Sequence, residues 1–213
     1  MTDRETLRKI CDYANLNKND VVLEIGSGTG NLTFEIAKSA EVYAIEKDKN
    51  LIPELKKIEN PNIRIINADA LKIEFPMFNK VVANIPYAIS RKIILKLLEY
   101  RFELGILVCQ KEFAEKLTAE AGSNNYRFIS AAAQSFWDIE ILKHVSPSAF
   151  SPAPNVKSAI IQVKPKFEFD ENYIVFIRNL FNQRKRKIKE KEKRVFELSP
   201  DELLELYNNQ KIK

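Results

Sequence analysis

Residues 21–40 read VVLEIGSGTGNLTFEIAKSA. A short apolar, branched run at Val21–Ile25 leads into three alternating glycines, Gly26, Gly28 and Gly30, and then into a segment able to form a helix, so the order is strand, turn, helix. The whole chain contains only five glycines. Three of them within five residues exceed what a tight turn needs. Glycine admits positive φ and lets a ligand approach without a Cβ in the way, so the turn is expected to bind a ligand.

The unit recurs outward from this point. EVYAIE (41–46) leads into the helical IPELKKI, then come IRIINAD (63–69), KVVAN (80–84) before SRKIILKLLEY, and LGILVCQ (104–110) before KEFAEKLTAEA. Strands alternating with helices predict an α/β, Rossmann-like sheet, mostly parallel, with helices on both faces. Residues 3–15 carry Leu7, Ile10, Cys11 and Ala14 at helical spacing and predict a leading amphipathic helix. ISAAAQ (129–134), DIEILKHV (138–145) and SAIIQVKPK (158–166) all read as strand-like, the last two as an antiparallel edge hairpin. After Pro165 the pattern becomes helical through YIVFIRNLFNQRKRKIKEKEKR. A second start lies at Ser199, where Ser-Pro-Asp-Glu offers an N-cap and a capping-box glutamate. The chain therefore divides into residues 1–166 and a small C-terminal helical domain, 167–213.

The chain has 213 residues with a formal charge of +5. Residues 184–194 (RKRKIKEKEKR) hold eight basic and two acidic side chains, so this stretch alone carries +6 and the rest is nearly neutral. Such a segment, with Arg184, Lys185, Arg186 and Lys187 at its head, suits a polyanion or is a solvated helix face laced with Lys/Glu pairs. No window approaches a membrane span, and MTDRETLRKI lacks the apolar core of a signal peptide, which predicts a cytoplasmic protein. Cys11 and Cys109 lie far apart in apolar segments and are expected to be reduced, buried thiols. The single histidine, His144, occupies a solvent-facing strand position, and with no cysteine or histidine cluster no metal site is expected.

At the carboxyl ends of parallel strands the glycine turn suits either a dinucleotide or S-adenosylmethionine. A G-x-G-x-x-G fingerprint from Gly26 requires glycine at 31, where the chain has Asn31. VLEIGSGTG instead resembles the E-x-G-x-G-x-G motif I of class I methyltransferases. Glu46 ends the second strand where a ribose diol would donate to its carboxylate. Asp69, in NADAL, is placed at the end of the third to accept from an adenine amine. Glu24 is expected to orient the turn, or to cap the cofactor's amino group through water, rather than to perform chemistry.

Asn84-Ile85-Pro86-Tyr87 at the end of strand four resembles the N-[LIP]-P-[YFW] motif of methyltransferases that modify exocyclic amines. An adenine N6 lone pair is delocalised into the ring, so attack on a sulfonium methyl requires acceptors that hold the amine hydrogens. The Asn84 side-chain oxygen and, by resemblance, the Ile85 carbonyl supply them, Pro86 fixes the bend, and Tyr87 stacks on the base. No general base is needed, because the methylated nitrogen is acidic enough to lose its proton to water. Such a base must be single-stranded or flipped out. Phe150, in the proline-braced SPSAFSPAPNVKSA, offers either a second stacking ring or a buried loop anchor.

VLEIGSGTGNLTFEIA, AIEKD, NADAL, VANIPYAIS, LVCQKEFAEKL, F-S-P-A-P-x-V-x-S-A and LFNQRKRK together resemble the ribosomal RNA small-subunit adenine N6-dimethyltransferase family, in an archaeal-like short form. The resemblance implies S-adenosylmethionine as cofactor, two methyls added to N6 of each of two adjacent adenosines of small-subunit ribosomal RNA, and a role in subunit maturation by a monomer acting on RNA or the pre-ribosomal particle. It implies a cofactor set of Gly26, Gly28, Gly30, Glu46, Asp69, Ala70 and Asn84. Asn84, Ile85, Pro86, Tyr87 and Phe150 form the catalytic set, with Tyr87 and Phe150 sandwiching the base. Residues 167–213 become the RNA-docking part. The family's Q-x-F-L-x-D segment ahead of the first helix is here Met1-Thr2-Asp3, keeping only the Asp, which implies an N-terminally shortened chain or closure of the cofactor by other residues, with reduced activity. Ala88 stands where the family often has a polar residue. The competing readings are a ribosome-assembly RNA-binding factor with weak or no catalysis, a large-subunit ribosomal RNA adenine methyltransferase and, from the glycine turn and Glu46 alone, a nicotinamide oxidoreductase.

Overall fold

The computed structural model describes residues 1–211. The chain opens with α1 (Arg4–Ala14), then follows β1 (Val21–Ile25), α2 (Asn31–Ala37), β2 (Glu41–Glu46), α3 (Ile52–Lys56), β3 (Ile63–Asn67), β4 (Lys80–Asn84), α4 (Ser90–Leu97), β5 (Leu104–Gln110), α5 (Lys111–Leu117), α6 (Phe128–Phe136), β6 (Trp137–Val145) and β7 (Ser158–Pro165). Past the sheet come α7 (Glu171–Phe181), a hairpin of β8 (Lys187–Ile188) and β9 (Lys193–Arg194), and α8 (Pro200–Lys211).

One seven-stranded sheet has the order β3-β2-β1-β4-β5-β7-β6. The strands β3, β2, β1, β4 and β5 run parallel, and β7 and β6 add the antiparallel edge hairpin. Strand order reverses between β1 and β4. The crevice outside the carboxyl ends of those two strands is where an open α/β sheet receives its ligand.

Alternation along each strand sorts the core onto two faces. Val22, Val42, Val82, Ile106 and Ile160 pack with Leu7, Ile10, Leu32 and Ile36 of α1 and α2. Leu23, Ile45, Val81, Leu107 and Ile161 pack on the opposite face with Ile93 and Leu97 of α4, the alanines of α6, and Tyr173, Ile177 and Leu203 of α7 and α8. Cys109 belongs to this second cluster and Cys11 packs against the first, so the sheet separates the two free thiols.

Two sequence readings need correction. ISAAAQ is not a strand but the body of α6, all but Gln134 of it buried. A run of alanines has the strongest helical propensity, and every side of this helix finds a neighbour, so no periodic stripe advertises it. The helix predicted across 173–194 stops at Phe181, and the basic stretch forms the β8–β9 hairpin instead. Between Phe181 and Val195 only Ile188 is apolar and buried, too little to hold a helix whose neighbours repel one another. The predicted start of α8 is present: the Ser199 hydroxyl accepts from the Glu202 amide at 3.2 Å and the Glu202 carboxylate from the Ser199 amide at 2.9 Å. His144 is exposed, as its position on β6 suggested.

Candidate active site

The turn after β1 hangs on β2. The amides of Gly26 and Ser27 donate to the Ile45 carbonyl at 2.8 and 3.2 Å, and the Gly28 amide donates to Oε2 of Glu46 at 2.8 Å. Oε1 of Glu46 accepts from the Asp48 amide at 2.7 Å. A carboxylate has about four acceptor positions, so both oxygens retain one for a ligand. Glu46 is nearly buried and ends β2, as read from the sequence.

The three glycines have separate structural duties. Gly26, at φ +76°, lies so near Pro86 that a Cβ there would stand 2.8 Å from its Cγ. Gly28, at φ +60°, faces open space. Gly30, at φ +86°, lets the start of α2 seat against Ile58 and Leu55, whose methyl carbons would stand 2.4 and 2.6 Å from an added Cβ. Of the three, Gly26 alone lines the cavity beside the turn.

That cavity measures about 480 Å³ and is lined by Ile25, Gly26, Ile45, Glu46, Lys47, Asp48, Ala68, Asp69, Ala70, Pro86 and Ile89. Its size lies in the range of small-molecule sites. The acids Glu46 and Asp69 stand among apolar walls. Asp69 lies two residues beyond the end of β3 rather than on it. Its Oδ2 pairs with Lys47 Nζ at 2.9 Å and its Oδ1 accepts from the Leu71 amide at 3.0 Å; the lysine first, then that amide, holds its carboxyl below the usual range.

Under the turn, Glu24 is wholly enclosed and accepts from the Thr33 hydroxyl at 2.5 Å. Burial pushes its carboxyl up to about 8, the hydrogen bond opposing and the nearby Glu46 adding to the rise. Glu24 thus braces the turn against α2, which is the orienting role its position suggested.

A second cavity of about 280 Å³ adjoins the first at Pro86, which lines both. Asn84, Ile85, Pro86, Tyr87 and Phe150 meet here with Met1, Ser151, Pro152 and Pro154. The loop carrying Phe150 joins β6 to β7. Because Ser158 at the start of β7 pairs with Gln110 at the end of β5, that loop rises at the carboxyl end of the parallel strands. The Tyr87 hydroxyl shares a 2.5 Å hydrogen bond with Ser158 Oγ, and the Ile85 amide donates to the Val108 carbonyl at 3.0 Å. The amides of Thr2 and Asp3 both reach the Ala149 carbonyl, next to Phe150.

Within this frame the Asn84 side-chain oxygen is buried without any hydrogen-bond partner, and so is the hydroxyl of Ser27 on the glycine turn. An unmet buried acceptor costs roughly 1–3 kcal/mol; the hydroxyls of Ser123 and Tyr126 are also unmet, and of these four groups only Asn84 lines either cavity.

A model described as ribosomal RNA adenine dimethylase matches residues 1–212. The chain belongs to the ribosomal RNA adenine dimethylase family. Among its relatives, a protein of Methanococcoides burtonii named probable ribosomal RNA small subunit methyltransferase A is 42% identical over 197 residues, 89% of this chain and 73% of that one. A crystallographic dimethyladenosine transferase from Plasmodium falciparum superposes with a TM-score of 0.89 at 30% identity, covering 99% of this chain and 98% of that one. The 23S ribosomal RNA methyltransferase ErmE superposes at 0.78 and 26% identity, over 98% of both. Members of the dimethylase family and methyltransferases of this fold depend in general on S-adenosylmethionine.

Gly26, Glu46, Asp69 and Ala70 line the larger cavity and Asn84, Ile85, Pro86, Tyr87 and Phe150 the smaller, whereas the walls Ile25, Ile45, Ile89 and Pro154 carry no chemical signature that separates a lining residue from a core one. The basic segment divides. Lys185, Arg186 and Lys187 are exposed, whereas Arg184 gives its Nε to the Tyr126 carbonyl and its Nη2 to the Ser123 carbonyl, both at 3.1 Å, and packs 4.5 Å above the Phe196 ring. Among the described residues no helix is long and apolar enough to cross a membrane, and no three His, Cys, Asp or Glu side chains are grouped to hold a metal.

Proposed function

We propose that this chain dimethylates adenine N6 in small-subunit ribosomal RNA, with S-adenosylmethionine in the larger cavity and the target base in the smaller. The observation that carries the reading is the unpartnered Asn84 oxygen in the smaller cavity, on the chain segment that also supplies the wall between the two. The small-subunit target rests on what the relatives are named.

The residues present fit the cofactor. Glu46 keeps free acceptor positions for a diol, Asp69 for an adenine amine, and Gly26 and Ala70 leave the wall shallow between them, with Gly28 presenting Glu46 and Gly30 seating α2 behind the turn. Bound there, the cofactor supplies an electrophilic methyl on sulfonium sulfur.

Asn84 Oδ1 accepts one N6 hydrogen and the Ile85 carbonyl the other, which draws the amine toward tetrahedral geometry and turns its lone pair outward. Tyr87 and Phe150 hold the base from its two faces, and the bond from Tyr87 to Ser158 fixes one ring. Catalysis is alignment and polarisation, and the surplus proton leaves from the methylated nitrogen to water. Residues 1–166 do this chemistry and 167–213 dock RNA, with Lys185, Arg186 and Lys187 facing phosphates and Arg184 contributing charge from behind. The enzyme works as a monomer in the cytoplasm, where its RNA is.

Mass spectrometry of ribosomal RNA digested after incubation with protein and cofactor tests this. Dimethyladenosine in small-subunit RNA is expected, with a loss of about 10²–10³ in rate for Asn84→Ala. Undiminished methylation by that variant removes Asn84 from the mechanism. Salt-sensitive particle binding without methyl transfer replaces the reading with an assembly factor, and label confined to large-subunit RNA moves the target there.

A further inference from the structure

A third cavity, of about 450 Å³, opens outside the two already described. Its rim carries Arg91, Lys116, Arg127 and Arg178, and Phe113 and Phe181 form its walls. It lies at the same end of the sheet as the active site: Arg91 follows Tyr87 by four residues in the first turn of α4, and α5, which bears Phe113 and Lys116, begins directly after the carboxyl end of β5.

No carboxylate lines this cavity, and none of the four rim cations is in an ion pair among the described residues. Three of them are held in place: Arg127 donates to the carbonyls of Asn124 and Tyr126, and the other two share a ring. The guanidinium groups of Arg91 and Arg178 sit 5.9 and 5.5 Å from the centroid of the same ring, Phe128, which is itself buried. One ring thus tethers two like charges at the rim, where a polyanion would neutralise both.

We propose that this pocket receives an unpaired nucleotide of the substrate RNA neighbouring the target adenosine, its base against Phe113 and Phe181 and its flanking phosphates on Arg91, Lys116, Arg127 and Arg178. Aromatic walls under a cationic rim are the combination that binds single-stranded nucleic acid, since every base has a face to stack and every linkage a charge to neutralise. An acidic protein segment would use the cations and leave the rings idle. The assignment rests on the chain being an RNA methyltransferase, and it gives the flipped adenosine a second hold on the strand, independent of the basic hairpin.

The test is binding of a labelled single-stranded oligoribonucleotide of mixed sequence across a salt series. The variant Arg91→Gln/Arg178→Gln is expected to bind about tenfold more weakly and to lose about 1.4 from the slope of log affinity on log salt, near 0.7 for each phosphate contact removed. A charge-matched control, Lys18→Gln/Lys164→Gln at the opposite end of the sheet, should keep both. Phe113→Leu should weaken binding and leave the slope alone. Should the double variant melt early, Lys116→Gln, exposed on α5, carries the test with a slope loss near 0.7. An unchanged slope in the rim variants, or an equal loss in the control, overturns the pocket while leaving methyl transfer by the wild type in place. A wild type that methylates no ribosomal RNA overturns the reading of the active site, and the slopes still decide the pocket.

Discussion

Gly26 and Pro86 face each other across the switch point of the sheet so closely that a Cβ on Gly26 would stand 2.8 Å from Cγ and 2.9 Å from Cδ of Pro86. The turn after β1 and the turn after β4 thus form one contact, and Pro86 is the shared wall of both cavities. The substitution Gly26→Ala therefore strains a residue at φ +76° and displaces the wall that aligns the two ligands. It should cost about 1–3 kcal/mol of stability and about 10²-fold in methyl transfer, measured by denaturant unfolding and by labelled methyl incorporation. An Ala variant with wild-type turnover would show that the contact does not set the alignment.

The Tyr87 ring and its hydroxyl can be separated. Tyr87→Phe keeps the stacking face and gives up only the bond to Ser158, so less than a tenfold loss is expected. Tyr87→Ala and Phe150→Ala each remove a face worth roughly 1–3 kcal/mol, which should appear as a 5-fold to 150-fold rise in KM for RNA. Steady-state kinetics with RNA varied at saturating cofactor checks both.

Glu24 links stability to pH. Its carboxyl keeps its proton in the folded chain up to about pH 8 and loses it near 4.5 when exposed, because burial disfavours the charge. Between those values the folded state holds more protons than the unfolded one, so this group's contribution is level below pH 4.5 and falls as pH rises toward 8. In Glu24→Gln that part of the slope should vanish, leaving the variant less sensitive than wild type to pH across the window in urea unfolding. Parallel profiles would mean that Glu24 ionises without cost.

Asp20 and Lys80 form a buried ion pair at 2.9 Å, and Lys80 also donates to the carbonyls of Ala14 and Asn15 at the end of α1. Removing one partner strands a charge in the interior. Asp20→Ala should lose about 3–5 kcal/mol, whereas replacing both residues with apolar ones of similar volume should recover most of that. Urea midpoints of the single and double variants decide.

Much of this was legible in the chain. Short apolar, branched runs at β1, β2, β4 and β5 are each followed by a helix, and each of the motif residues Gly26, Glu46, Asp69 and Asn84 falls at or just past the end of a strand. The pattern failed where neighbours on all sides erase periodicity, as in the alanine run of α6, and where charge rather than an apolar stripe governs, as in the β8–β9 hairpin.

By itself the sequence determined the class of fold and the chemistry that each strand end could offer, since both depend on residue type and spacing along the chain. Only the tertiary structure decided which ends meet. The reversal of strand order between β1 and β4 sets Gly26 against Pro86, the antiparallel return of β7 brings Phe150 to the cavity that Tyr87 lines, and the packing of α7 on α6 brings Arg178 to the ring that Arg91 already shares. These contacts join residues 37 or more positions apart. They follow from crossover connections and the burial of two faces of one sheet, to which no local pattern gives access.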